Sequence, residues 1–188
     1  MLTFLVILLV GFALNSASAF TSAFSRRWGS HRGQLVTFVL RNILGIPVWV
    51  IGLGLAVRTP SPPLFRSTTL TEAIGWLLVT VGSVIILLAL ASLRSKAAMP
   101  SVRDSLVQNG AYAHVRHPIY AAMFLEFAAM VLLRPTRAAA LSCALGVGWV
   151  VIQARLEELD LLQRIPAYRE YMKRVPRFFP RRRKPLRA

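Results

Sequence analysis

Acidic residues are scarce in this chain. Seven Asp and Glu stand against 23 Lys and Arg, a formal charge of +16 over 188 residues. The one cysteine, Cys143, lies inside an apolar run. That excludes a disulfide framework and a cysteine metal site. With three histidines and so few acids, no metal site is evident. The charge excess raises the question of nucleic acid, but no nucleic-acid module is visible. The basic residues gather instead at the ends of apolar runs and in the tail, where anionic lipid headgroups account for them. No nucleic-acid partner is expected, and membrane lipids are.

Apolar sequence is what the chain has in abundance, at 55% of its residues. Soluble domains of this size rarely reach that share. One membrane domain over residues 1–188 is the natural reading. The expected fold class is all-α: a polytopic membrane protein with about five transmembrane helices, a C-terminal helical hairpin and a cytosolic helical extension. The spans are expected near 2–21, 35–57, 70–93, 118–133 and 138–152, with the cytosolic helix and basic tail over 153–188. Ala17-Ser18-Ala19 resembles a signal-peptidase site, but no Lys or Arg precedes the apolar run, so a retained first helix is favoured over a cleaved signal.

Between the spans, Ser25 to Gly33 reads as a short basic loop, and Arg41 as a side chain reaching for headgroups. Pro47 can kink the second span, while Thr59-Pro60-Ser61-Pro62-Pro63 stops it. The two runs around Arg134-Pro135-Thr136-Arg137 are short for full crossings and suit a tight hairpin. Tyr168, Tyr171, Met172 and Val175 share one face of a further helix, amphipathic enough to lie on a membrane or cover a pocket. From Arg177 onward the tail is basic and expected to be mobile. With five spans, 19 of the 23 Lys and Arg fall on one side, which should be cytoplasmic together with the C-terminus.

The most informative stretch is a polar island, Leu106 to Tyr120. Gly110 suits a turn that needs positive φ. Pro118 suits the first position of a helix, with His117 as its cap. Arg116 and His117 then stand at a helix start, where an anion is favoured. By itself this pattern describes equally well a basic membrane-proximal loop followed by a capped helix, with no anion bound. Glu126, in Phe124-Leu125-Glu126-Phe127-Ala128, is a carboxyl expected inside the membrane, where such groups face a cavity or a partner. It is a candidate for the wall of an acceptor pocket, for pairing with Arg41, or for a carboxyl that stays protonated.

Gly110-x-Tyr112-x-x-Val115-Arg116-His117-Pro118-x-Tyr120 resembles the core motif of the isoprenylcysteine carboxyl methyltransferase and phospholipid methyltransferase superfamily. A second motif follows in the order found there: Glu157-Glu158, then Tyr168-x-x-Tyr171, then Val175-Pro176-Arg177-Phe178-Phe179-Pro180. The resemblance implies an integral membrane enzyme that uses S-adenosyl-L-methionine. It implies cofactor contacts at Ser105, Leu106, Val107, Tyr112, His117, Pro118, Ile119, Tyr120 and Glu157. Arg116, His117 and Glu158 are the candidate catalytic residues. Glu126, Gln153 and Arg155 are the candidate acceptor-side residues; members of the family often carry an arginine where Gln153 stands.

The chemistry agrees with those residue types. The cofactor's carboxylate needs a cationic or N–H cradle, its ammonium an acid, and its sulfonium an aromatic face, which Tyr112 and Tyr120 offer. Methyl transfer is an in-line displacement that positioning can accelerate. An α-carboxylate acceptor is already ionised at neutral pH and needs no base, whereas an amine or thiol does. The expected acceptor is therefore lipophilic, most simply an isoprenylcysteine-like carboxylate, entering from the bilayer and meeting the cofactor at the cytoplasmic boundary. A phospholipid amine acceptor and a non-catalytic lipid-binding scaffold are the alternatives.

Overall fold

The first helix stops early. In the structure, a computed structural model that describes residues 3–93 and 105–180, α1 runs Thr3–Ala17 and the chain then bends by 62° into α2, Thr21–Trp28. A single span over 2–21 was the expectation. The bend has two causes. Ser18 Oγ donates to the carbonyl of Asn15, drawing the last turn of α1 away from regular helix. Across the molecule, Asp160 Oδ1 accepts the Ser22 N–H at 2.7 Å and so caps α2 from a distant helix.

The basic stretch expected to be a loop is therefore helical. It forms α2 and α3, Ser30–Phe38. From α3 the helix widens into a π-helical turn, Val39–Gly45, and resumes as α4, Ile46–Arg58. Pro47 lacks the N–H that an α-helix would use there, and its ring crowds the preceding turn, so the backbone relaxes by one wider turn rather than breaking.

α5 spans Thr69–Leu93, as the apolar run predicts. After a short 3₁₀ turn, Gly110–Ala113, come α6, Pro118–Leu133, and α7, Arg137–Arg164. α8 is Tyr168–Arg174. α6 and α7 form the expected hairpin. Its turn is fixed from outside: Leu64 N–H donates to the Pro135 carbonyl at 2.7 Å, and Arg137 N–H to the Pro62 carbonyl at 3.0 Å. Thr136 caps α7 by accepting from Ala139 N–H.

Among the described residues, three helical stretches are long and apolar enough to cross a membrane, Ser30–Arg58, Thr69–Leu93 and Arg137–Arg164, and the bent α1–α2 pair would make a fourth. The remaining expected span, α6, is 16 residues long. At 1.5 Å per residue it reaches roughly 24 Å, short of a hydrocarbon core of about 30 Å.

Packing follows the small residues. α1 lies along α4, and α5 along α6. An added Cβ on Gly52 would fall 2.7 Å from the Leu8 backbone nitrogen, so glycine permits that approach. Phe12, Trp49 and Trp149 fill the crossing, with Phe12 stacked on Trp149 at 4.4 Å. A smaller core of Ile165, Tyr168, Tyr171 and Val175 seats α8 against Leu106 and Leu161, burying the face that the spacing predicts. Arg94, Lys96 and Arg103, and the tail beyond Pro180, lie outside the described residues.

Candidate functional site

Gly110 takes φ 56°, so the 3₁₀ turn it begins reverses the chain toward α6. Tyr171 Oη donates to the Tyr112 carbonyl at 2.6 Å, pinning that turn to α8. Pro118 opens α6 with His117 at the cap position, but the His117 side chain makes no cap hydrogen bond. Its ring is occupied elsewhere. Nε2 lies 3.2 Å from Glu158 Oε1, and Nδ1 lies 3.9 Å from Glu157 Oε2. The ring also stacks on Tyr120 at 5.4 Å.

The backbone cradle expected at this corner is taken by the chain itself. Arg116 N–H donates to the Pro176 carbonyl at 2.9 Å, and His117 N–H to the Arg177 carbonyl at 3.0 Å. The segment after α8 thus straps across the start of α6. Arg177, expected in a mobile tail, instead hydrogen-bonds Glu158 with both Nε and Nη2.

Glu158 is buried among the guanidinium groups of Arg177 and Arg116, the latter at 3.3 Å, and the His117 ring. Burial alone would raise its pKa. The hydrogen bonds from His117 and Arg177 and the nearby charges outweigh that and lower it from 4.5 to about 2. Because Glu158 stays ionised it accepts, so Nε2 of His117 is the donor in that contact.

Glu157, one residue away, points to another environment. Its Oε1 accepts from Tyr120 Oη at 2.7 Å, Gln153 Nε2 at 3.2 Å and Arg41 Nη2 at 3.4 Å. Its Oε2 carries no hydrogen bond among the described residues. Arg41 therefore pairs with Glu157 rather than with headgroups or with Glu126.

These groups surround a cavity of about 480 Å³, within the size range of small-ligand sites. Ser105, Leu106, Val107 and Tyr112 line it from the loop, and Arg116, His117, Ile119 and Tyr120 from the corner and α6. Glu157 lines it from α7. Of the residues singled out in the sequence, Pro118 and Glu158 stand behind the wall. Gln153 is fully buried against Glu157 and the Asn15 carbonyl and does not reach the cavity. Arg155 is exposed and outside it, and Glu126 lines a different space.

The motifs do not contain every lining residue. Asn15, Arg41 and Asp160, outside both motifs, also face the cavity, as does Tyr168, which the second motif contains without a cofactor role. Polar Asn15 in an apolar helix and Arg41 inside a span were the available signals for two of them. Two donors buried beside this wall have no hydrogen-bond partner among the described residues: the Tyr168 hydroxyl and Nε of Arg116, whose Nη1 forms the ion pair with Glu158. Burial, the largest influence on Tyr168 and Tyr112, pushes both phenols up, so both remain protonated donors.

A donor-rich wall of Arg116 and Tyr168, a carboxylate oxygen on Glu157 with no hydrogen bond, and flanking aromatic rings fit an amino acid group bearing a positive charge. No curated protein and no solved structure matches the chain. The family model for phospholipid methyltransferase matches residues 70–169, which run from α5 into α8 and contain the turn, the Arg116–Tyr120 corner and both glutamates. The chain belongs to the phospholipid methyltransferase family.

Proposed function

We propose that this protein is an S-adenosylmethionine-dependent methyltransferase acting on a lipophilic acceptor at the cytoplasmic boundary of a membrane. The observation that carries the reading is the meeting of the two motifs. Tyr120 and Glu157, 37 residues apart, are joined at 2.7 Å, and His117 and Glu158, 41 apart, at 3.2 Å. When bound, the cofactor supplies an electrophilic methyl group on a positively charged sulfur. Glu157 Oε2 takes the ammonium, and Arg116 with the Tyr168 hydroxyl takes the carboxylate. Tyr112 and Tyr120 present ring faces and edges to the sulfonium, and α8 borders the cavity through Tyr168.

The acceptor that needs least from these residues is a carboxylate of the isoprenylcysteine type, since it arrives ionised. Gln153 and Arg155 do not reach the cavity, so Arg41 takes the part of the acceptor-side cation. A phospholipid amine would need a base, and His117, which lines the cavity, is the candidate. The side with most Lys and Arg in the sequence is the side of the cavity, which supports a cytoplasmic active site.

Binding of S-adenosylhomocysteine to the protein in lipid vesicles tests the reading. Affinity should fall by about 10- to 100-fold in Glu157→Gln, the factor for a hydrogen bond to a charged group. Absence of binding to the folded wild type would favour a lipid-binding scaffold instead. Transfer of labelled methyl to a prenylcysteine analogue, set beside an aminophospholipid, separates the two acceptors.

A further inference from the structure

A second cavity, of about 680 Å³, lies between α4, α5 and α6. Trp49, Ile86 and Met123 line both cavities, so the two share one wall. The rest of the second lining is mostly apolar, with Leu53, Val79, Phe127 and Met130. Glu72 and Arg134 also line it, and Glu126 is the carboxyl that interrupts it midway along α6. Glu126 Oε1 accepts from Ser83 Oγ at 3.2 Å. Glu126 Oε2 has no hydrogen-bond partner among the described residues. Beside Ser83, Gly82 leaves the space the carboxyl occupies, since a Cβ there would stand 2.6 Å from Oε1. α5 therefore offers Glu126 one hydroxyl and a gap, and leaves half its accepting capacity unused.

A carboxyl at membrane depth is costly unless its oxygens are satisfied. Glu126 is also close to the proposed chemistry. It follows Met123, in the shared wall, by one helical turn, about 5 Å along the axis.

Resting on the methyl-transfer reading above, we propose that the second cavity holds the body of the lipophilic acceptor and that Glu126 selects acceptors bearing a hydrogen-bond donor. That donor, a hydroxyl, an amide N–H or a protonated amine, lies about one helical turn from the reacting head. It completes the carboxyl that Ser83 half satisfies. An acceptor with the same tail and no donor leaves Oε2 unpaired and binds less well.

The test uses the full chain in vesicles of zwitterionic phospholipid with S-adenosylhomocysteine present. The probes are a bromine-labelled long-chain alcohol, the amine of equal length, and the methyl ether of the alcohol. Trp49 and Trp76 line the cavity, so bound bromine quenches their fluorescence. The alcohol and the amine should half-saturate at concentrations about 10-fold or more below the ether, the factor for a hydrogen bond to a charged group. Glu126→Leu should abolish that preference. Glu126→Gln keeps an accepting oxygen without charge, so it should retain part of the preference for the alcohol and lose most of the preference for the amine. Equal affinity of alcohol and ether in the wild type overturns the proposal. So does a preference unchanged in Glu126→Gln, which decides the matter should the leucine variant not fold. The readout involves no methyl transfer. A calorimetric titration of S-adenosylhomocysteine in the same vesicles tests the cofactor reading separately, and its failure alone would leave the lipid preference standing.

Discussion

Arg177 grips Glu158 at two points, Nε to Oε1 at 3.1 Å and Nη2 to Oε2 at 2.5 Å. Glu158 in turn accepts from His117, whose ring borders the cavity. A residue past the last helix thus fixes the orientation of one at the start of α6. Phe178 adds packing to the same strap, edge-on to Phe124 at 5.1 Å.

Arg177→Ala should therefore destabilise the fold by about 1.5–3 kcal/mol, the value of hydrogen bonds to a charged group. Arg177→Lys should recover only part of this, because an ammonium cannot reproduce the planar two-point contact. Thermal unfolding in detergent reads the difference. Equal stability of all three proteins would show the contact to be incidental.

The pH dependence of stability follows from Glu158. Its folded pKa, about 2, lies below the ordinary 4.5, so acid protonates the unfolded chain first. The stabilisation is complete above pH 4.5 and is lost as pH falls toward 2. Unfolding temperatures measured from about pH 6 down to about pH 3 should drop more steeply for the wild type than for Glu158→Gln. Parallel curves would contradict the assignment.

Tyr120→Phe removes the hydroxyl that donates to Glu157 and nothing else from the wall. The loss should be about 1 kcal/mol, or about fivefold in affinity for S-adenosylhomocysteine. Isothermal titration of the reconstituted protein measures it. A larger loss than that of Glu157→Gln would mean that the tyrosine hydroxyl, not the carboxylate, dominates binding.

The helix crossings predict a contrast among glycines. Gly52→Ala places a methyl against the Leu8 backbone and should cost about 1–3 kcal/mol as overpacking. Gly54→Ala and Gly148→Ala meet nothing within 4 Å and should be neutral or slightly stabilising. Detergent melts of the three variants suffice to compare them.

Where the cause is local, the sequence by itself determined the outcome. Gly110 turns the chain because a positive φ is cheap only without a Cβ. Pro118 starts α6 because its ring presets the first helical φ. The helical class, the hairpin and the buried face of α8 follow from apolar runs and their spacing, which bind each residue to near neighbours. Tertiary structure alone decided which polar groups meet. Asp160 caps α2 from 138 residues away, and Arg41 reaches Glu157 across 116. Gln153 turns inward while Arg155, two positions along the same helix, faces out. The same holds for the strap over His117 and for the wall between the two cavities. A buried charge takes whatever partner the packing of distant helices brings within about 3 Å, and no periodicity along the chain records that choice.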